Sequence, residues 1–408
     1  IPVKGFERAK VQHVFQYYTK FKPNSSSEKR NFVCVMLLAF IIKIFVTTYL
    51  IQNTDKKMLT QILSFFRTKA LSLMALAACT WLVPSTAWAE EFTILQWNIW
   101  QEGTMVKGGY DAIVEEIVRL KPDFVTLSEV RNYHNTNFTR RLTQSLLQRG
   151  LTYYSFKSKD TGLLSRYPIT DSLTVFPEHN DHGSIYRLLC DAKGKKMAVY
   201  TAHLDYLDDA YYNVRGYDGS SFREIPIPRT VEEVLERNVK SQRDDAIRCF
   251  IEQAKKDEAA GYTVVIGGDF NEPSHEDWTE ATRYLYDHHG LVVPWTVTSL
   301  LAEAGFRDAY RTFYPNVLTH PGFTYPADNP DVSPQKLTWA PLADERDRID
   351  YLWYKGKNAR VTDCRIFGPE GCIAYSRRCP NPTRENFIKP LGVWPTDHKG
   401  VWMKLEVE

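Results

Sequence analysis

The sequence has 408 residues, with 51 Lys+Arg against 49 Asp+Glu and a formal net charge of +2. The charge is unevenly placed: residues 1–89 hold 12 Lys+Arg and 3 Asp+Glu, so residues 90–408 hold 39 and 46, a net of −7. A domain this acidic has no global pull toward polyanions, which counts against a nonspecific nuclease. Its 319 residues suit one large α/β domain, and no internal repeat, heptad pattern or low-complexity linker divides it.

The N-terminal 57 residues include Phe32–Ile51, an apolar stretch of 20 residues interrupted by Lys43 and long enough to span a bilayer. Met58 then begins a second export-type segment. It has a basic region at Arg67 and Lys69, an apolar core from Ala70 to Val83 and a small-x-small site at Ala87-Trp88-Ala89. Two such segments in tandem are redundant, so residues 1–57 are expected to be translated upstream sequence; an N-terminal membrane anchor is the alternative. Residues 58–89 are expected to be a signal peptide, with a competing lipoprotein reading at Cys79. The working protein is then a secreted or periplasmic domain, 90–408.

Within that domain apolar runs alternate with helical patterns. Ile94-Leu95-Gln96-Trp97 ends at Asn98, and Tyr110 to Leu120 reads as a helix with Ala112, Ile113, Ile117 and Leu120 on one face. Phe124 to Ser128 ends at Glu129, and Met197 to Ala202 ends at His203. Tyr206 to Arg229 is a long aromatic and charged segment. Thr230-Val231-Glu232-Glu233 is a capping box opening a helical region that runs on through Ile247, Phe250, Ile251 and Ala254. Val264-Val265-Ile266 leads to Gly267-Gly268-Asp269-Phe270-Asn271, where two glycines are expected to turn the chain tightly. Ser274 to Thr338 is a second long segment. Adjacent His288 and His289 within it are expected to point apart, not to bind a metal together. Arg348-Ile349-Asp350-Tyr351 and Thr396-Asp397-His398 follow.

A lone His or Asp at the end of an apolar run is ordinary hydrogen-bonding chemistry. Six such ends of complementary types in one chain are hard to assign to structure alone. Trp97-Asn98, Ser128-Glu129-Val130, Gly162 to Ile169, Ala202-His203-Leu204, Gly268-Asp269-Phe270-Asn271, Arg348-Ile349-Asp350-Tyr351 and Thr396-Asp397-His398, in that order, resemble the endonuclease/exonuclease/phosphatase superfamily. The resemblance covers roughly Phe92 to Glu408 and does not fix the subfamily. It implies the deoxyribonuclease-I-like α/β fold, a four-layer sandwich of two mixed β-sheets flanked by helices, with the motif-bearing strand ends at one edge.

Phosphate ester hydrolysis needs an activated water, neutralisation of phosphoryl charge and help for the leaving oxygen. Glu129, Asn98 and Asp397 are hard oxygen donors suited to Mg²⁺, with Mn²⁺ as an alternative, and the superfamily places its principal metal carboxylate at the Glu129 motif. Asp269 would activate the water, with Asn271 fixing it against phosphorus. His398 would contact a phosphoryl oxygen, its tautomer set by Asp350, or alternatively by Asp347. His203 would face the phosphate from the other side; the sequence offers it no carboxylate partner beyond nearby Asp205. Arg166, Tyr206 and Arg215 are the candidate substrate-binding residues, the last two from the segment expected to wall the cleft.

The expected activity is hydrolysis of a phosphodiester, with a small-molecule or lipid-headgroup substrate favoured over nucleic acid on charge grounds. A nuclease acting on DNA or RNA is the alternative, and an inactive secreted binding module is the reading of another class. A monomer is expected, with no obligate protein partner. Cys190, Cys249, Cys364, Cys372 and Cys379 show no zinc-like spacing; in an oxidising compartment two of the last three could pair.

Overall fold

The computed structural model describes residues 89–177 and 183–408, within the compact unit Ala87–Glu408. The leader and signal expectations fall on residues 1–88, outside the described residues. The strands in chain order are β1 (Glu90–Asn98), β2 (Phe124–Val130), β3 (Tyr154–Ser155), β4 (Asp160–Ser165), β5 (Ile169–Phe176), β6 (Ser184–Ala192) and β7 (Lys195–His203). They continue with β8 (Thr263–Asp269), β9 (Arg307–Asp308), β10 (Asp350–Lys355), β11 (Ala359–Phe367), β12 (Cys372–Ala374), β13 (Arg377–Cys379) and β14 (Gly400–Val407). The α-helices are α1 (Gly109–Leu120), α2 (Phe138–Gln148), α3 (Ala210–Val214), α4 (Val231–Asn238), α5 (Arg243–Ala259), α6 (Thr296–Glu303) and α7 (Ala309–Phe313).

One six-stranded sheet has the order β11-β14-β1-β2-β4-β3 and the other β5-β6-β7-β8-β10-β9. Each carries one parallel pair, β1 with β2 and β7 with β8, among antiparallel neighbours. A parallel pair needs a crossover connection. The first is made by α1, the second by α4 and α5.

Alternation along the strands builds three apolar layers. Phe92 and Ile94 of β1 meet Met197, Val199, Val265 and Leu352 between the sheets. Their neighbours Leu95 and Trp97 face outward onto Ile113 and Ile117 of α1 and Leu142 of α2. Val264 and Ile266 face the other way, onto Ile247 and Phe250 of α5 and Val297 of α6. Strands buried on both faces read as unbroken apolar runs, which is why they were legible in sequence. The result is the expected four-layer sandwich.

Two local expectations need correction. Gly267 and Gly268 lie inside β8, not in the turn after it. A Cβ on Gly267 would sit 2.3 Å from Thr126 Oγ1 of the facing sheet, and one on Gly268 2.4 Å from Ala202 O, so the glycines permit close approach. The turn itself is made by Asn271, with φ at 48°.

The capped helical region is two helices. Thr230 Oγ1 accepts from Glu233 N at 3.2 Å as the cap requires, but α4 stops at Asn238 and α5 starts at Arg243. The break turns Asn238 toward Glu272 (2.6 Å) and lets Arg243 bind Asp209 (2.6 Å) and three backbone carbonyls of 205–208.

The clustered cysteines are free thiols: Cys364 is buried in the inter-sheet core, while Cys372 and Cys379 stand opposite each other across the β12–β13 hairpin. The two long insertions pack on each other: Tyr211, Tyr212 and Val214 of the first meet Trp278, Val293 and Trp295 of the second in a subsidiary core.

Candidate active site

Asn98 closes β1, His203 closes β7 and Asp269 closes β8, while Asp160 opens β4 and Asp350 opens β10. Because β4 and β10 run antiparallel to their neighbours, these starts and those ends share one edge of the sandwich. The register places both His203 and Asp350 directly beside Asp269. Glu129 arrives there through a bulge: the β2–β4 register slips between Ser128 and Val130, and Glu129 adopts a left-handed φ of 66°. A bulge of this kind re-aims a side chain out of the ladder. Ser128 ties the two sheets together, its Oγ accepting from Asp269 N (3.1 Å) and donating to Ala202 O (3.0 Å).

Two imidazole–carboxylate couples dominate the site. His203 Nδ1 lies 2.8 Å from Asp160 Oδ2, and His398 Nδ1 lies 2.9 Å from Asp350 Oδ2. Both rings turn their Nε2 atoms toward one oxygen, Asp269 Oδ2, at 3.9 and 3.7 Å. Burial by itself would pull the His203 pKa down, but Asp160, with Asp269 and Glu129, outweighs it and holds the group at about 9. Burial likewise opposes charging of His398, and Asp350 with Asp269 holds it up to about 10. Both rings are therefore cations at neutral pH.

Asp269 is pushed up to about 6 by burial and then by the neighbouring Asp350 charge, against the pull of the two imidazoliums. A carboxylate with that value can accept a proton from water near neutrality and release it again.

Asn98 links the couples to Glu129. Its amide nitrogen donates to Glu129 Oε1 (3.1 Å) and Asp269 Oδ2 (2.8 Å), and its Oδ1 accepts from Trp100 N (2.9 Å). Glu129 Oε2 accepts from Gln101 N at 2.9 Å. Asp397 lines the same cavity and is raised to about 7, first by burial and then by repulsion from Glu129, against the pull of His398. A buried Asp397 repelled by the nearby Glu129 charge is a setting that suits a divalent cation held by oxygen donors. A second grouping, Asp269, Asp350 and His398, brings three possible ligand atoms within 4.8 Å of one another. His398 Nδ1 is taken up by Asp350, so Asp269 and Asp350 are the oxygen donors of that grouping, while Glu129, Asp397 and Asn98 are the set expected from the sequence.

The cavity has a volume of about 320 Å³ and is lined by Glu129, Arg131, His203, Tyr206, Asp269, Asn271, Asp397 and His398, among others. Asn271 is held there by its amide nitrogen, which donates to Leu204 O at 3.0 Å. Tyr206 sits at the rim, 37% exposed.

Two expected substrate contacts lie elsewhere. Arg166 follows Ser165, the far end of the strand that Asp160 opens, and so stands at the opposite edge of the sheet. Arg215 is buried and committed to Asp347 Oδ2 at 2.7 Å and to the carbonyl of Asp344, because the insertion it belongs to must be pinned to the segment leading into β10. Asp347 also accepts from Trp278 Nε1 at 3.0 Å, which removes it as a partner for His398.

Sequence reasoning missed Asp160 and Arg131. Arg131 reaches Asp160 Oδ1 at 2.8 Å and Glu129 at 3.8 Å. Asp160 stands two residues ahead of the Gly162 motif at the opening of its strand, so extending that motif would have found it. Asp205 binds instead to the backbone of Leu207 and Gln242.

A sequence model of the Endonuclease/Exonuclease/phosphatase family matches residues 95–398. An uncharacterized protein of Caenorhabditis elegans is 27% identical over 315 residues, covering 76% of this chain and 89% of its own length. Similar solved structures include D. rerio TDP2 complexed with single strand DNA product (TM-score 0.45, 14% identity, 78% of this chain and 100% of that one). Another is the human Nocturnin catalytic domain with bound sulfate anion (TM-score 0.41, 16% identity, 77% and 94%).

Proposed function

The chain belongs to the Endonuclease/Exonuclease/phosphatase family of metal-dependent phosphoester hydrolases, and on that premise we propose that it cleaves a phosphodiester of a small molecule or lipid headgroup outside the cytoplasm, with Mg²⁺ as its metal. One observation carries the reading. Two imidazolium groups, each charged by its own buried carboxylate, converge on the single raised carboxyl of Asp269.

In this reading Asp269 takes a proton from water as the water oxygen attacks phosphorus, with Asn271 orienting that water. His398 donates to a non-bridging phosphoryl oxygen, and Asp350 keeps it charged. The bond to the leaving oxygen breaks as His203 Nε2 delivers its proton there, and Asp160 steadies the ring through both states. Glu129 and Asp397 would hold Mg²⁺, with Asn98 fixing Glu129; a bound cation would supply charge neutralisation on the phosphoryl oxygens. Against burial, His203 and then Arg131 keep Asp160 ionised, and Arg131 stands close to Glu129.

Support for a compact substrate over a polynucleotide comes from charge. Among the described residues lining the cavity Arg131 is the one Lys or Arg, beside the two imidazoliums of His203 and His398 and facing Glu129, Asp209, Asp269 and Asp397. Polynucleotide grooves gather many lysines and arginines. The test is a panel on purified protein, with and without chelator: bis(p-nitrophenyl) phosphate, p-nitrophenyl phosphate, sphingomyelin, plasmid DNA and RNA. Metal-dependent turnover of the diester above the monoester and the nucleic acids supports the proposal. Cleavage of DNA or RNA in preference to the diesters would replace it with the nuclease alternative.

A further inference from the structure

We propose that Phe222 and Trp339 form an aromatic subsite that stacks a nucleobase carried on the non-departing side of the ester, beside the phosphoryl position. This rests on the reading of the site as a phosphoester hydrolase and names the class of group that the ester carries.

The two rings lie face to face, with centroids 4.8 Å apart and planes 25° from parallel. They are shared by two hollows: the 320 Å³ catalytic cavity and an open outer groove of about 700 Å³ bordered by Tyr217, Arg223 and Leu342. Trp339 is 56% exposed, whereas Trp97, Trp278, Trp295 and Trp394 are all fully buried. An indole left open at the mouth of a catalytic cavity presents a π-face that any planar ring can cover.

The platform is fixed from beneath. Tyr212 meets Phe222 edge-on at 5.1 Å, and its hydroxyl donates to Glu345 Oε2 at 3.1 Å. The same oxygen accepts from Trp339 N (3.1 Å) and Ala340 N (3.2 Å), and the Thr338 hydroxyl donates to Oε1. Buried Glu345 thus sets the backbone that carries Trp339.

Charge narrows the ligand further. Among the described residues bordering the two hollows the arginines are Arg131 and Arg223, joined at the phosphoryl position by the His203 and His398 imidazoliums and facing Glu129, Asp209, Asp269, Asp397 and Glu224. Arg131 is held on Asp160. Such a lining suits one phosphate and one flat ring, not a run of phosphates.

The experiment compares wild type, Trp339→Ala and Trp339→Phe on two esters with the same leaving group: thymidine 5′-(p-nitrophenyl) phosphate and methyl p-nitrophenyl phosphate. A base stacked on an aromatic side chain is worth about 5- to 150-fold in affinity. Trp339→Ala should therefore lose kcat/KM by about that factor on the thymidine ester and by less than about 2-fold on the methyl ester, with Trp339→Phe restoring most of the loss. In parallel, calorimetry should show thymidine 5′-monophosphate binding to wild type and weakened by the same factor in Trp339→Ala. Equal losses on both esters, no loss on either, or monophosphate binding that is undetectable or indifferent to Trp339 would overturn the subsite while leaving the hydrolase reading intact. Trp339-dependent binding with no hydrolysis of either ester would keep the subsite and overturn the hydrolase reading.

Discussion

Replacing Asp160 by Asn removes the carboxylate that holds His203 charged while keeping the shape of the side chain. With Asp160 in place the His203 pKa stands at about 9, so ~90% of the ring is protonated at pH 8. Without it, burial pulls the value down while Asp269 and Glu129 still pull it up, and the ordinary imidazole value of about 6.5 is a fair estimate. Only ~3% of the ring would then be charged at pH 8, against roughly three-quarters at pH 6. If His203 is the acid that protonates the leaving oxygen, the loss in kcat/KM should be about 20-fold larger at pH 8 than at pH 6. At pH 8 the loss from the missing proton is itself about 30-fold, just short of the roughly 10²–10⁴ range of a missing general acid.

Stability should shift in the matching sense. His203 has a raised pKa in the folded state, so its pairing with Asp160 stabilises fully below about 6.5 and is lost as pH rises through about 9. Asp160→Asn should therefore lower Tm more at pH 6 than at pH 9.5. A p-nitrophenyl phosphodiester assay across pH 6–8.5, with melting curves from pH 6 to pH 9.5, decides the matter. A loss that is the same at pH 6 and pH 8 would leave Asp160 as an orienting group only. No loss at either pH would remove His203 from the chemistry.

Excess chelator followed by dialysis should abolish turnover, with Mg²⁺ or Mn²⁺ restoring it and Zn²⁺ failing to; full activity after chelation would rule out Glu129 and Asp397 as ligands. Asp269→Asn should cost about 10²–10⁴ in kcat with Tm unchanged or slightly raised, and retention of more than about a tenth of wild-type turnover would show that another group takes the proton. Arg215→Ala should destabilise by roughly 3–5 kcal/mol, the cost of leaving buried Asp347 without its partner, while Arg166→Ala should leave both Tm and kcat/KM near wild type. A strong kinetic defect in Arg166→Ala would mean that the far edge of the sheet reaches the substrate after all. N-terminal sequencing of protein from the native host should begin near Glu90; a lipid-modified Cys79 or an intact anchor would refute cleavage there.

The strands of the sandwich could be read from the chain because they are buried on both faces, so Ile94 to Trp97 and Val264 to Ile266 stand out as apolar runs. Their polar ends were equally visible at Asn98, His203 and Asp269. What could not be read was pairing between distant segments. Asp160 meets His203 only because β4 and β7 lie in facing sheets with their ends at one edge. Asp347 and Asp350 are three residues apart and look interchangeable, yet the extended chain points them to opposite surroundings: Arg215 and Trp278 for one, His398 for the other. Arg215 looked like a cleft residue because a charged side chain in an aromatic loop usually faces solvent, and only the packing of the two insertions buries it.

Both imidazole–carboxylate couples span the gap between the sheets. His203 and Asp350 belong to the second sheet, while Asp160 opens a strand of the first and His398 leads into another strand of it. Neither layer by itself owns a complete proton donor. A half-assembled chain, or one in which a layer has slid out of register, carries histidines without their carboxylates and at neutral pH mostly uncharged. On the proposed mechanism, hydrolytic competence is a readout of finished assembly, and a chain emerging segment by segment stays chemically silent until its two halves close on each other.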